Sequence, residues 1–209
     1  MKSDKIVSYE ELCHVIETKY KDWNPPLGFD HERDKHMKVS APWLPAFLSL
    51  LWLTGGRVSE VLAIRGKDIK IEEQEGLQVA EIRLMNLKQK GNYKRSQKVA
   101  TTIVEEYPKC WEYIDKYHDL LYNPSGLLFP RSRKTAWYHC KRIFSAGTHN
   151  VGRHSWVMEK ADKGHAILDA KQQGGWTSLN SMNAYIHEFS KKDIIARQIA
   201  QFKKASNKE

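Results

Sequence analysis

The sequence predicts a mainly α (α+β) domain, helical for most of its length, with one small three-stranded antiparallel sheet. Apolar residues recur at helical spacing through most of the chain. Between residues 69 and 100, three short segments show instead the β-branched content and alternation of strands. The 209 residues are 41% hydrophobic and 28% charged, which is typical of a folded protein. No repeat or shift in composition marks a second domain, so residues 1–209 are expected to form a single one.

The N-terminal part is predicted to hold two helices separated by a loop. Ser8 followed by Glu11 has the spacing of a capping box, and the apolar residues after it share one helical face. Residues 23–40 contain two prolines, a glycine and many charges, which predicts a long loop. A second helix is predicted from Pro42 to about Leu53, before two successive glycines. It is apolar nearly all round, which predicts that it is buried.

The centre of the chain is predicted to form the sheet. A short amphipathic helix from about Arg57 to Ile64 leads into it. The predicted strands are Ile69–Ile71, Leu77–Met85 and Ser96–Ala100. The turn between the second and third strands contains Lys88, Lys90, Gly91 and Asn92.

Helical periodicity returns for the rest of the chain. The predicted helices cover about residues 102–119, 134–145, 153–162, 165–173, 178–187 and 190–204. The last helix has an apolar stripe of Ile194, Ile195, Ile199 and Phe202.

The charge balance favours a polyanionic partner. Lys and Arg outnumber Asp and Glu by 34 to 25, a formal net charge of +9, which suits nucleic acid or an anionic membrane surface. The excess is concentrated in residues 83–98 and 131–142, which contain no acidic residue. A solvated surface explains either stretch alone, whereas two of them strengthen the case for phosphate contact. The candidate nucleic-acid-binding residues are Lys94, Arg95, Arg131, Arg133, Lys134, Lys141 and Arg142.

Several protein classes are excluded by the sequence. The longest apolar stretch, Ala41–Leu53, is too short for a transmembrane helix and contains two prolines. The first residues lead into no apolar segment of the kind a signal peptide needs. Three widely spaced cysteines, Cys13, Cys110 and Cys140, argue against a disulfide framework and a cysteine-based zinc site. A reducing compartment, the cytoplasm, is therefore expected.

Three motifs carry candidate chemistry, and each has an ordinary explanation when taken alone. Glu60 lies three residues after Arg57 on one helical face, where it can hold the guanidinium or simply form a surface ion pair. Arg153 opens a helix, where its fork can face two phosphate oxygens or remain solvated. Tyr185 follows Gly174-Gly175-Trp176, and by itself is best explained as a core tyrosine. Their order and spacing are more informative than any one of them.

In that order the sequence resembles the catalytic domain of the tyrosine recombinase (phage integrase) family. Its segment Thr54–Ile69 matches throughout the family's first box, T-G-x-R-x-[ST]-E-[LIV]-x-x-[LI]-[RK]-x-x-D-[IV]. The later boxes are matched by Arg153-His154-Ser155-Trp156, by Gly164, and by Gly175-Trp176, with Tyr185 nine residues after that tryptophan.

Two weaker matches extend the resemblance. Lys90-Gly91-Asn92 lies in the predicted hairpin where the family places its catalytic lysine. Leu127-Leu128-Phe129-Pro130 is similar to the family's motif before the next basic helix. Together the matches cover about residues 8–190.

The resemblance implies a site-specific recombinase or integrase that cleaves and rejoins DNA without metal, cofactor or ATP. Tyr185 would attack the scissile phosphate and form a 3′-phosphotyrosyl link, and Arg57 and Arg153 would clamp the non-bridging oxygens. Lys90, or alternatively Lys88, would protonate the leaving 5′ oxygen.

Two further residues are implicated by the same resemblance. Trp176 would pack against the phosphate or donate to it through its indole N–H. Glu60 would orient Arg57.

One position departs from the family's pattern. The second box usually reads H-x-x-R, but Asn150 stands three residues before Arg153, and His149 is one position too early. Asn150 can donate a hydrogen bond to a phosphate oxygen but cannot shuttle a proton. Alternatively, the loop slips by one residue and presents His149. The departure also favours a second interpretation, a catalytically weak or silent DNA-binding relative of the family.

The resemblance also implies partners and a domain organisation. Double-stranded DNA is the expected partner, with self-association on DNA as a synaptic tetramer, and no membrane partner is expected. The N-terminal DNA-clamping (core-binding) domain of most members is not expected here, so the chain is either an excised fragment or a short recombinase. Residues 190–209 either dock on a neighbouring protomer or pack on their own core.

Overall fold

The computed structural model describes residues 5–20, 43–85, 97–119, 125–183 and 185–186. Within these ranges the chain is mainly helical with one three-stranded antiparallel sheet, which confirms the predicted fold class. The helices are α1 (Tyr9–Tyr20), α2 (Leu44–Thr54), α3 (Val58–Leu62), α4 (Pro108–Asp119), α5 (Arg133–Phe144), α6 (Ser155–Asp162) and α7 (Ile167–Gly174). The strands are β1 (Ile69–Gln74), β2 (Leu77–Met85) and β3 (Gln97–Ile103). Short 3-10 turns cover Gly66–Asp68, Val104–Glu106 and Leu179–Met182, and a π turn covers Asn150–His154.

Three predicted features lie outside the described residues. They are the loop over 23–40, the hairpin turn with Lys88 and Lys90, and the last helix at 190–204.

Helix α2 forms the centre of the core because its sequence has no polar face. Every residue from Leu44 to Thr54 is buried. The aromatic side chains buried around it include Trp111, Tyr117 and Phe129. The indole nitrogen of Trp52 donates to the carbonyl of Val7 at 2.8 Å, so the segment before α1 is tied to the same core. This core holds the ends of α2 and its neighbours in fixed positions.

The N-terminus of α1 is capped as the sequence predicts. The backbone N–H of Glu11 donates to Ser8 Oγ at 3.1 Å.

The sheet has the order β1-β2-β3, with Ile69 opposite Ile82 and Val79 opposite Ile103. Glu75 and Gly76 both have positive φ, which suits the two-residue turn between β1 and β2. The face of β2 that meets the helices buries Ala80, Ile82 and Leu84. On β3 the buried positions are Lys98, Ala100 and Thr102. A lysine therefore stands on the inner face of the sheet.

The predicted helix over 102–119 is wrong in its first part. Strand β3 continues to Ile103, a 3-10 turn follows, and α4 begins only at Pro108. Pairing of Val79 with Ile103 extends the ladder through β-branched residues that suit a strand. Proline also disfavours helical backbone in the residue before it, so α4 cannot begin earlier.

Two further predicted helices differ in detail. The helix predicted over 153–162 begins with the π turn before α6. The helix predicted over 178–187 is replaced at its start by the 3-10 turn Leu179–Met182, and residues 185 and 186 are helical. Serine and asparagine in this stretch compete with the helical backbone for hydrogen bonds.

None of the helices in the described ranges is long and apolar enough to cross a membrane.

We predict that Gly55→Ala destabilises the fold by about 2–4 kcal/mol, because it adds left-handed backbone strain to overpacking. Gly55 ends α2 with φ +54°, and a Cβ there would lie 2.7 Å from the Trp156 ring. Gly76→Ala is the matched control. Gly76 has φ +79°, and a Cβ added there would meet no atom within 4 Å. Gly76→Ala should therefore cost only about 1 kcal/mol of stability. Urea unfolding measures the free energy of unfolding of both variants. Equal decreases would show that the Trp156 contact does not contribute to the effect.

Candidate active site

Arg57 is held at the N-terminus of α3 by a carboxylate in the first turn of that helix. Glu60 Oε2 accepts from the backbone N–H of Arg57 at 2.9 Å, and Glu60 Oε1 accepts from Arg57 Nη1 at 2.7 Å. The Glu60 side chain is fully buried, whereas that of Arg57 is 30% exposed. The carboxylate thus fixes both the backbone and the guanidinium of Arg57 while leaving the guanidinium at the surface.

Lys98 approaches the same carboxylate from the sheet. Its Nζ lies 2.8 Å from Glu60 Oε2 and donates to the carbonyl of Gly174 at 3.2 Å. The side chain is only 6% exposed. The ammonium therefore joins the start of α3 to the end of α7.

Arg153 lies at the end of the π turn with its guanidinium against the C-termini of two helices. Its Nε donates to the carbonyl of Gly55 at 3.0 Å, and its Nη2 donates to the carbonyl of Gly174 at 2.8 Å. The last carbonyls of a helix have no partner within it and carry partial negative charge, so they suit a cation. Among the described residues, Arg153 Nη1 has no hydrogen-bond partner, which leaves it available to an anion.

Trp176 packs close to both Arg153 and Tyr185. Its ring is 4.5 Å from the Arg153 guanidinium carbon and 6.4 Å, centroid to centroid, from the Tyr185 ring. Tyr185 is 8% exposed and also packs on His154, with ring centroids 5.5 Å apart. Both aromatic residues belong to a small apolar cluster built on Trp156. The structure therefore brings the four sequence-predicted residues Arg57, Arg153, Trp176 and Tyr185 into one region.

Positive charge exceeds negative charge in this region, and the pKa values respond to it. Burial lowers the pKa of Lys98 to about 8, with Arg153 and Arg57 adding to the effect and Glu60 opposing it. Burial and then Arg57 lower the pKa of Arg153 to about 10, so it remains protonated at neutral pH. Burial alone would raise the pKa of Glu60, but Lys98 and Arg57 outweigh it and hold that pKa below its ordinary value. The three cations Arg57, Lys98 and Arg153 outnumber the single carboxylate of Glu60, which leaves a site suited to an anion.

The π turn at Asn150–His154 bears on which residue of the second box is expected nearest in angle to Arg153. In an α-helix, with 3.6 residues per turn, the residues three and four positions earlier flank it about equally. A π turn holds roughly one residue more, so the residue four positions earlier comes closest. That residue is His149, which is exposed, whereas Asn150 is half-buried and its backbone carbonyl accepts from Ser155 Oγ at 2.6 Å.

The basic residues predicted to contact DNA are only partly described. Lys88, Lys90, Lys94 and Arg95 lie outside the described residues. On α5 the side chains of Arg133, Lys134, Lys141 and Arg142 are exposed, and Arg131 just before it is half-buried. Trp137 and Tyr138 on the same helix are 50% and 54% exposed. The helix therefore presents a basic and aromatic surface.

Lys98 is the site residue that sequence reasoning missed. The alternation on the third predicted strand held the signal, because Lys98 is in phase with Ala100. Hydrophobicity instead predicts that the face of Val99 is buried, because Val99 is larger and more apolar than Ala100. In the structure Val99 is 37% exposed.

In the described part of the chain, no group of three or more His, Cys, Asp or Glu side chains is placed to hold a metal ion.

The chain is similar to known proteins in structure but not detectably in sequence. No protein-family model matches the chain, and no curated protein matches its sequence. Its structure is similar to the XerH site-specific recombinase bound to difH substrate in a pre-cleavage complex, with a TM-score of 0.57 and 18% identity over 87% of this chain and 50% of that one. For XerH in a post-cleavage complex with palindromic difH substrate the TM-score is 0.55 and the identity 18%. The match covers 96% of this chain and 56% of that one. For the catalytic domain of bacteriophage HP1 integrase the TM-score is 0.52 and the identity 19%. The match covers 78% of this chain and 89% of that one.

These similarities confirm that the chain has the fold of a tyrosine recombinase catalytic domain, as the sequence motifs predict. The chain spans about half the length of the XerH recombinase chains that it matches.

We predict that Glu60→Gln destabilises the protein by about 3–5 kcal/mol at pH 6, because it leaves the buried Lys98 ammonium without its counter-charge. The loss should be clearly smaller at pH 9, above the Lys98 pKa of about 8, since the amine there is largely neutral. Denaturant unfolding at the two pH values measures both. Glu72→Gln, on the exposed strand β1, is the control and should change stability by less than about 0.5 kcal/mol. Equal losses at both pH values for Glu60→Gln would contradict the coupling.

Proposed function

We propose that this chain is the catalytic domain of a site-specific DNA recombinase or integrase that cleaves and rejoins strands through a 3′-phosphotyrosyl intermediate. The observation that carries the proposal is that Arg57 and Arg153 are joined through Glu60, Lys98 and the Gly174 carbonyl. Trp176 packs on Arg153, and Tyr185 packs on Trp176. The fold shared with XerH recombinase and HP1 integrase supports it. No metal or ATP takes part in the proposed reaction.

The proposed chemistry follows from the charges in the site. The Tyr185 hydroxyl attacks the phosphorus and gives its proton to the imidazole that is proposed below for the second-box position. A tyrosine oxygen–phosphorus bond forms as the bond to the 5′ oxygen breaks. Arg57 and Arg153 stabilise the negative charge that develops on the non-bridging oxygens. The leaving oxygen takes a proton from Lys90, or alternatively Lys88. Because the phosphotyrosine preserves a high-energy ester bond, the reverse attack by a 5′ hydroxyl rejoins DNA without an external energy source.

Trp176 is proposed to separate the guanidinium of Arg153 from the tyrosine ring while keeping both close to the phosphate. Its ring covers one face of the guanidinium, which leaves the edge with Nη1 for an oxygen. Glu60 orients Arg57 from behind.

His149 is proposed to supply the second-box group in place of Asn150. Ideal π-turn geometry, with His149 four residues before Arg153, supports this assignment, and His149 is exposed. An imidazole can also donate or accept a proton near neutral pH, which an amide cannot do.

Double-stranded DNA is the proposed partner, with α5 on the DNA side. Its four exposed basic side chains suit phosphate contacts, and Arg131 adjoins them. Lys94 and Arg95 are proposed for the same surface. Self-association on DNA as a synaptic tetramer, with residues 190–209 docked on a neighbour, and a cytoplasmic, nucleoid-associated location are proposed with it.

A catalytically silent DNA-binding relative is the second candidate function. The departure at Asn150 is the observation that favours it.

We predict that wild-type protein forms a covalent adduct on a nicked suicide duplex carrying a candidate crossover site, in EDTA, and that Tyr185→Phe forms none. The phenylalanine variant retains the ring packing on Trp176 and His154 but has no nucleophile. A denaturing gel detects the adduct. Tyr9→Phe, on α1, is the control and should retain the adduct.

Each other outcome has a definite meaning. No wild-type adduct together with clear, salt-sensitive binding would favour the silent relative. An adduct that persists in Tyr185→Phe would assign the nucleophile elsewhere.

We predict that His149→Ala lowers the single-turnover cleavage rate by about 10²-fold or more, as expected for loss of a proton-transfer or phosphate-contacting group. Asn150→Ala should lower it less than about threefold, because an amide cannot shuttle a proton and His149 is the residue proposed for that role. The reverse ranking would assign the second-box role to Asn150.

A further inference from the structure

Lys98 is a buried lysine whose position needs an explanation. Burying an ammonium is costly unless it is paired, and hydrophobic residues usually take the inner face of a sheet. The neighbouring inner positions on β3 are Ala100 and Thr102. The site thus contains a third cation, in addition to the two arginines that the proposed reaction uses.

The contacts of Lys98 connect the two arginines. On one side it shares Glu60 Oε2 with the backbone N–H of Arg57, whose Nη1 is bound to the other oxygen of that carboxylate. On the other side it shares the Gly174 carbonyl with Arg153 Nη2. One ammonium therefore contacts an acceptor of each arginine, although the arginines belong to elements distant in the chain.

The end of α7 is shaped to receive this lysine. Gly175 has φ +68°, and a Cβ at that position would lie 2.7 Å from Lys98 Cδ. A side chain there would displace the lysine stem. Gly175 leaves room for the Lys98 stem, and the Gly174 carbonyl accepts from its ammonium.

We propose that Lys98 is a positioning residue that fixes the spacing of Arg57 and Arg153 through Glu60 and Gly174, and so sets the geometry in which both guanidiniums meet the scissile phosphate. The proposal rests on the proposed recombinase function. Lys98 acts through its two acceptors and not by touching the DNA, since its ammonium is engaged by both and its side chain is 6% exposed.

The charge of Lys98 makes this arrangement sensitive to pH. The groups that face it are Glu60 and Arg57 at the start of α3 and Arg153 at the π turn. Burial and the two arginines lower the pKa of Lys98 to about 8, and Glu60 opposes them. Above that pH the ammonium loses its proton and its hold on Glu60, so the wild-type cleavage rate is expected to decline there.

The test compares Lys98→Met with wild type in single-turnover cleavage of the suicide duplex, with DNA affinity measured by fluorescence anisotropy. Methionine preserves the apolar stem and removes the charge. We expect the cleavage rate to fall about 10- to 100-fold, in line with a small misplacement of catalytic groups, and Kd to change less than about threefold. The decline of rate above about pH 8 should be absent from the variant. Lys70→Met, on exposed β1, is the control for loss of a lysine from the sheet and should behave as wild type.

A double-mutant cycle tests the route through Glu60. If Lys98 acts by holding Glu60, the Lys98→Met change should cost little more in a Glu60→Gln background, whereas additive losses would overturn the proposal. Lys98→Gln, which preserves hydrogen-bond donors, replaces Lys98→Met in the cycle if the methionine variant does not fold.

A substrate with sulfur at the bridging 5′ position separates positioning from proton donation, because a thiolate leaves without being protonated. Lys98→Met should remain slow on it. Recovery to the wild-type rate would make Lys98 the acid for the leaving group and overturn the positioning role. Absence of any adduct from the wild type would instead reject the proposed function itself, and this role with it.

Discussion

The buried carboxylate of Glu60 is the constraint on which the rest of the site depends. An isolated carboxylate in this position would be strongly disfavoured, so its charge must be compensated by groups that reach it inside the protein. Arg57 does so from the same helix and Lys98 from the sheet. Both partners are thereby fixed by the same carboxylate, Lys98 through Oε2 and Arg57 through both oxygens. The carboxylate thus links the start of α3 to the inner face of β3 and gives Arg57 a defined direction toward the surface.

The second arginine depends on helix ends instead of on a side chain. The carbonyls of Gly55, after α2, and Gly174, at the end of α7, both accept from Arg153. Helix C-termini attract cations through their unpaired carbonyls, and the core around α2 holds one of those ends in place. The position of the Arg153 guanidinium therefore depends on the packing of the core. A change that shifts α2 also shifts Arg153.

The electrostatics of the site follow from these two anchors. Arg57, Lys98 and Arg153 together exceed the single negative charge of Glu60, and the lowered pKa values of Lys98 and Arg153 reflect both burial and mutual repulsion. An anion bound beside the arginines would relieve that repulsion. The proposed phosphate chemistry rests on this residual positive charge and on the aromatic rings of Trp176 and Tyr185 next to it.

The sequence by itself determined the helical class, the three-stranded sheet and the order of Arg57, Arg153, Trp176 and Tyr185, because periodicity and motif spacing are local properties of the chain. It did not locate Lys98, because apolar Val99 is the stronger local signal, and only the pairing of β3 with β2 decides which face is buried. Nor did it choose between His149 and Asn150, since one extra residue in a turn is a feature of backbone hydrogen bonding. The tertiary structure decided the burial of Lys98, because burial depends on contacts between segments far apart in sequence. For His149 it supplies the π turn on which the proposal rests.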